Sequence, residues 1–202
     1  MKRIIDIAFQ TKTSHIGSSL TTYPILESIY SSRNPDDKIV LSMGHAGLAQ
    51  YVALETFREK NAFELHRKHG THPHRDIDNE IDVSSGSLGS AILIAVGMAF
   101  ANRKRDVYCI ISDGECAEGS VWEALSFAHL NNLTNLKIHV NINGYSAYDK
   151  VDTDYLEKKL LAFFPNIVIW RTKSPDMPCM AGLKAHYSVL TESEHSYLQT
   201  IL

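Results

Sequence analysis

The chain has 202 residues, 44% of them hydrophobic and 21% charged, with a formal net charge of −3. This balance predicts a soluble globular protein of one domain, or two at most. It argues against nucleic acid or an anionic membrane as partner, since no basic run interleaves with aromatics. Cys109, Cys116 and Cys179 form no CxxC pair and leave an odd count, which predicts a reducing, cytoplasmic home. No signal peptide or spanning segment is read, because the longest apolar run, 91–101, falls short of the roughly 20 residues a bilayer needs.

Residues 1–10 carry Ile4, Ile5 and Ala8 at the spacing of a short amphipathic helix, ended by TKTS. Ser14, His15, Ile16 and Gly17 follow. Leu20, Tyr23, Leu26 and Tyr30 then give a second helix its apolar stripe, with Pro24 expected only near a first turn. Residues 38–42 read as a strand after the Asn34-Pro35 turn, and Met43, Gly44 and His45 stand at its carboxyl end, before a helix over about 46–60. His66, His69, His72 and His74 crowd into HRKHGTHPH. A zinc centre wants converging neutral imidazoles, whereas Arg67, Lys68 and Arg75 bring positive charge and no Cys or carboxylate lies at matching spacing. Zinc is therefore not predicted, and His66 and His69 are expected at the surface.

Residues 84–102, SSGSLGSAILIAVGMAFAN, begin as a glycine loop and continue as a helix apolar on all sides, which predicts burial at a sheet face or a subunit interface. The run 107–111 is of strand type and stops at Ser112, Asp113 and Gly114; a helix over 120–131 carries Val121, Leu125, Ala128 and His129; 136–142 is a second strand ending at Asn143 and Gly144. In such a βαβ unit, neighbouring parallel strands lie roughly 4.8 Å apart. Asp113 and Asn143 would then emerge side by side at the carboxyl edge, where open α/β sheets bind ligands. A carboxylate and an amide oxygen beside glycines suit a hard divalent cation that also holds phosphate oxygens. A helix over 151–164 and a strand over 167–171 follow. The predicted fold class is α/β, an open, mostly parallel sheet of about five strands with helices on both faces.

The Asp-Gly pair at 113–114, the Glu118-Gly119 pair and an Asn 30 positions after Asp113 resemble the thiamine diphosphate motif in the form used by transketolases. SDGECAEGSVWEALSFAHLNNLTNL is similar to that family's version along its length. DKIVLSMGHAGLAQYVALE is close to the family's DRFVLSxGH, which implies that His45 contacts the cofactor's diphosphate. GSLG followed by AVGMA resembles STGxLGxGxxxAVGMA and implies cofactor contacts from the backbones of Gly86 and Leu88. SHIG resembles SGHPG with Ile16 in place of Pro, His72-Pro73 resembles a channel His-Pro, and the segment around His186 resembles a tail with WH. Together these imply that His15, His72 and His186 line a substrate channel. RTK at 171–173 resembles TxKGKG, but SPDMP replaces the glycines, and a strand with Gly-His-Asp and its helix is not found between 150 and 166.

The resemblance covers residues 10–150 well. It implies a single diphosphate-type domain over 1–202, shortened after about residue 150, acting as the amino-terminal subunit of a split transketolase. Mg²⁺ would be held by Asp113, Asn143 and the Tyr145 main-chain carbonyl, while Gly114 lets the backbone approach the phosphates and the helix start near Gly119 offers N–H groups to the anion. His15, His45, His72 and His186 would polarise oxygens and move protons. Sugar phosphates are the implied substrates. The implied partner is a carboxy-terminal chain carrying the pyrimidine-binding domain, in a dimer of heterodimers, with the apolar helix contributing to the contact. The alternatives are another thiamine diphosphate-dependent synthase or decarboxylase, and a regulatory subunit that keeps the fold without catalysis.

Overall fold

A computed structural model describes residues 1–146, 149–180 and 182–202. Its sheet is parallel, in the order β1 (Lys38–Leu41), β2 (Val107–Ser112), β3 (Leu136–Ile142), β4 (Val168–Arg171). All four correspond to strand-like runs in the sequence. The expected total of about five is corrected to four among the described residues. Between β3 and β4 the chain forms α7 (Thr153–Phe163), the helix expected over 151–164, which Leu156 and Leu160 pin to the core one turn apart and Asp152 caps by accepting from the Tyr155 N–H.

Alternation along the strands sends side chains to two layers. Ile39, Leu41 and Ile110 join a core built with α1 (Lys2–Thr11), α2 (Ile16–Ser32), α3 (Gly47–Arg58), α4 (Ala62–His69) and α8 (Glu192–Ile201). Val40, Cys109, Ile111, Ile138 and Val140 join the other, with α5 (Ala91–Ala101), α6 (Gly119–Leu130) and α7. Helices thus cover both faces, as the sequence predicted. Among the described residues no helix is long and apolar enough to cross a membrane.

Several local expectations are corrected. Leu20, Tyr23, Leu26 and Tyr30 are buried as expected, but Pro24 sits well inside α2 and not in its first turn. The ring removes one helical hydrogen bond, while Thr21, Thr22, Ile25 and Leu26 around it are buried in the core. His129 faces solvent, and Ala124 takes the buried place on α6. HRKH is the end of α4, whose first turn is capped by Asn61 accepting from the Glu64 N–H. His66 and His69 are therefore not surface residues; they are 6% and 9% exposed. His66 Nε2 hydrogen-bonds Thr13 Oγ1 at 2.8 Å, and His69 Nε2 bonds Asp76 Oδ2 at 3.1 Å while its ring stacks on Tyr51. The Lys68 ammonium, followed by Asn79 and His69, holds Asp76 down at about 2.

The all-apolar α5 buries Ala91, Ile92, Ala95, Val96 and Ala99 against the sheet layer, while Leu93, Ile94 and Phe100 stay close to half exposed. Phe100 meets Phe127 of α6 edge-on at 5.5 Å, and Leu130 is 79% exposed, so an apolar face continues across both helices.

Because His66 is bonded inside the core, His66→Ala is expected to lower unfolding free energy by roughly 1–3 kcal/mol in denaturant titration. The exposed His74→Ala should stay within about 0.5 kcal/mol. Equal midpoints for the two variants would refute the buried role of His66.

Candidate functional site

The register of β2 on β3 pairs Ser112 with Asn141, so the chain leaves both strands at the same level. Asp113 follows Ser112 directly, and its carboxylate spans the gap between the two strand ends. Oδ1 accepts from the Gly114 N–H at 3.0 Å; Oδ2 accepts from the N–H of Asn143 at 3.0 Å and of Gly144 at 2.6 Å. The juxtaposition expected from the βαβ unit is present. Asn143 Oδ1 accepts from the Tyr145 N–H at 3.0 Å, which folds the loop back and leaves that oxygen a second lone pair. A Cβ on Gly114 would come within 3.3 Å of Ser146 Cα and 3.6 Å of the Tyr145 carbonyl oxygen. The absence of a side chain at 114 is what lets the two loops approach.

Over these strand ends lies a cavity of about 230 Å³. Its lining includes His15, His45, His72 and His186, with Gly86, Leu88, Gly114, Asn143 and Tyr145. These residues, singled out in the sequence, are therefore gathered at one place, Asp113 lying just beneath at 2% exposure. Gly119 is not among the lining residues. The 3-10 turn Gly114–Ala117 intervenes, so the start of α6 packs on the glycine loop instead, where a Cβ on Gly89 would strike Ser120 Oγ at 2.4 Å.

The histidines come from four loops. His15 precedes α2 in a left-handed conformation, φ 59°, and its N–H donates to the Ala185 carbonyl at 3.3 Å, which draws His186 alongside. The His15 ring centroid lies 5.2 Å from that of His186 and 5.6 Å from that of His45. Ser14 Oγ engages His15 Nδ1 at 3.0 Å and leaves Nε2 for the cavity. The His72 ring packs against Gly86, where a Cβ would lie 3.2 Å from it. Burial pushes His45 down to about 3 and His15 to about 4, with the neighbouring imidazoles adding to both, and it also lowers His72. At neutral pH these rings are uncharged, each with one donor and one acceptor nitrogen.

Asp113 moves the other way. Burial raises it from an ordinary 3.8 to about 6, against the pull of its backbone N–H donors. Among the described residues no cationic side chain pairs with it. A buried carboxylate with three fixed donors, an amide oxygen and a main-chain carbonyl beside it has the donor chemistry of a hard-cation site that shares phosphate oxygens.

The sequence reading missed Thr21, Ser174 and Met180 of the lining, and Glu115 beneath it. Thr21 lies one turn beyond Gly17 on α2, so helical spacing could have found it. Ser174 and Met180 lie in the irregular segment after β4, which has no periodicity to read. Glu115 carries no sign of burial in the sequence, yet it is 0% exposed.

The chain belongs to the transketolase family. Residues 1–174 match the family model described as 1-deoxy-D-xylulose-5-phosphate synthase. Transketolase-like protein 2 of Mus musculus is 35% identical over 168 residues, 75% of this chain and 27% of that protein. One of the subunits of the apulose-4-phosphate transketolase of Phocaeicola vulgatus is 30% identical over 162 residues, 70% of this chain and 57% of that protein. The crystal structure of transketolase from Campylobacter jejuni shares the fold, with a TM-score of 0.63 and 22% identity over 86% of this chain and 36% of that one. The chain thus spans between about a quarter and just over half of these relatives.

The opposing shifts set the pH behaviour. Asp113 is higher folded than unfolded, so its contribution is present below its unfolded value and is lost as pH rises through about 6. His15 and His45 are lower folded than unfolded, so theirs is present above 6.5 and lost as pH falls toward 4 and 3. A cation that pairs with ionised Asp113 is expected to raise the melting temperature at about pH 7.5 and to have little effect at about pH 5, where the carboxyl holds its proton. Thermal scans with and without Mg²⁺ check this; an equal effect at both pH values, or one retained in Asp113→Ala, would refute it.

Proposed function

We propose that this chain is the diphosphate-binding subunit of a two-chain, transketolase-like transferase that uses thiamine diphosphate and Mg²⁺ to pass a two-carbon ketol unit between sugar phosphates. The observation that carries this reading is the Asp113 carboxylate, held by three backbone N–H groups at the floor of a cavity roofed by four histidines. The relative from Phocaeicola vulgatus, itself named as one subunit of a transketolase, supports a split arrangement. The partner would be the chain with the pyrimidine-binding domain, in a dimer of heterodimers working in the cytoplasm. The apolar face of α5 and α6 is the surface we assign to such contact.

The side chains of Asp113 and Asn143 and the Tyr145 carbonyl would hold the cation. The backbones of Gly86, Leu88 and Gly114, with the His45 ring, would hold the diphosphate. The chemistry the cofactor supplies when bound is nucleophilic attack by its thiazolium carbon on a ketose carbonyl. The chain's own share is to orient substrate and handle its protons. Uncharged His15 and His72 can each donate a hydrogen bond to a sugar oxygen from one nitrogen and accept one at the other, and His186 adds a third imidazole to the same wall. Low folded values for His15 and His45 mean that neither serves as a standing cation at neutral pH.

The family model's description favours a second reading, a thiamine diphosphate-dependent synthase. A decarboxylating synthase would release carbon dioxide from a 2-oxo acid donor, whereas ketol transfer releases none.

Calorimetric titration with thiamine diphosphate and Mg²⁺ is expected to show binding to the wild-type chain and a loss of at least about tenfold in Asp113→Ala and in Asn143→Ala. Wild-type affinity in both would sink the site. With a pyrimidine-domain partner supplied, His45→Ala, His72→Ala and His186→Ala should each lower turnover by about 10²–10⁴ with nearly unchanged melting temperature. The chain alone should show no ketol transfer, and transfer by a monomer verified in light scattering would overturn the need for a partner.

A further inference from the structure

Glu115 is fully buried, and among the described residues no cation pairs with it. Its carboxylate accepts three hydrogen bonds. Ser42 Oγ donates to Oε1 at 2.6 Å, the Gly89 N–H donates to Oε1 at 2.9 Å, and the Ser112 N–H donates to Oε2 at 3.2 Å. Ser112 Oγ returns the contact by accepting from the Glu115 N–H at 3.1 Å. Each donor lies next to a part of the cavity. Ser42 opens the loop after β1 that carries His45, Gly89 follows Leu88 in the glycine loop before α5, and Ser112 precedes Asp113. The glycine loop is gripped on its other side as well, since Ser120 Oγ donates to the Gly89 carbonyl at 2.9 Å. Gly89 holds a φ of +74° and leaves no room for a Cβ, which would lie 2.8 Å from Glu118 Cβ. At the far end of the loop a Cβ on Gly44 would lie 2.6 Å from the Ser85 carbonyl carbon and 2.7 Å from the Gly86 nitrogen.

We propose that Glu115 is a positioning residue for the diphosphate site, a buried clamp that locks the loop after β1, the glycine loop and the loop after β2 into one arrangement before any ligand arrives. The inference deepens the reading given under Proposed function and rests on it. Burying a carboxylate is costly, and where a site only needs stability an apolar residue of similar volume serves as well or better. What an apolar residue cannot do is accept three donors from three separate loops at once. An amide cannot do it either: a glutamine there turns its NH₂ toward Ser112 N–H or toward the Ser42 and Gly89 donors. Backbone groups held in place beforehand spend less binding energy on ordering when the anion arrives.

The test uses Glu115→Gln, Glu115→Ala and the milder Ser42→Ala, which removes one donor and leaves the carboxylate. Hydrogen exchange read by mass spectrometry needs no cofactor. In the Glu115 variants it should accelerate in the peptides around Ser42 and Gly89, 73 and 26 positions away from residue 115, with α7 and α8 unchanged. Titration with thiamine diphosphate and Mg²⁺, well below each variant's melting temperature, should show affinity reduced about 10- to 100-fold in Glu115→Gln and about tenfold in Ser42→Ala. Acceleration confined to the peptide around residue 115, or loosened loops with wild-type affinity, would overturn the clamp. Should neither Glu115 variant fold, the Ser42→Ala affinity and exchange decide. A wild-type chain that binds no thiamine diphosphate would instead overturn the functional reading, and the exchange pattern alone would then decide the clamp.

Discussion

The parallel pairing of β2 with β3 is the constraint on which the site depends. Six consecutive residues of β2 are in register with β3, from Val107 opposite Leu136 to Ser112 opposite Asn141. Level strand ends allow one carboxylate to accept from both its own loop and its neighbour's. A slip of one residue would turn Asp113 and Asn143 to opposite faces, and the apolar residues of both strands would lose their layers with them. Position 113 is thus specified by the core, because the side chains that bury Cys109, Ile111, Ile138 and Val140 fix the same register that places the acid.

The resulting cavity sets groups of opposite tendency against one another. Desolvation raises Asp113 and lowers His15, His45 and His72, so in each case burial favours the uncharged form. At neutral pH the free site therefore sets uncharged imidazoles over a carboxylate that is still mostly ionised, since about 6 lies below 7. The same low-dielectric surroundings that penalise an isolated charge strengthen an ion pair formed there. Such a site resists a lone anion beside Asp113 more than it resists an anion that arrives with a cation.

The parts legible in the sequence were those in which local chemistry and tertiary role agree. Strands β1 to β4 are β-branched runs that stop at turn residues, and the site residues lie where those runs stop. Pro24 was misjudged because helix propensity weighs a single missing hydrogen bond and cannot see the burial that surrounds it. His66 and His69 were misjudged because RK beside them looks solvated; on α4 the two rings face Tyr51 and Thr13 while Arg67 and Lys68 point outward. Glu115 gave no sign because a buried acid and an exposed one read alike until the donors from other loops are in place. The strand count was set too high by expectation for a chain of this length, while α7 shows the ordinary helical spacing of Leu156 and Leu160.

The cavity draws its walls from elements of unequal strength. β4 has only four residues, pairs with β3 alone and leaves Val168 and Arg171 exposed at the sheet's edge. The segment that brings Ser174, Met180 and His186 to the cavity is strung between this short edge and α8, itself moored to α1 through His195 and Gln199 on Asp6. Asp113 and Asn143 stand instead at the ends of the two central strands, β2 and β3. Short, solvent-exposed elements open at lower free energy than the core strands they border. The site should therefore come apart in order: the wall with His186 detaches in partial opening events that leave the floor with Asp113 and Asn143 intact, and only global unfolding dismantles the rest.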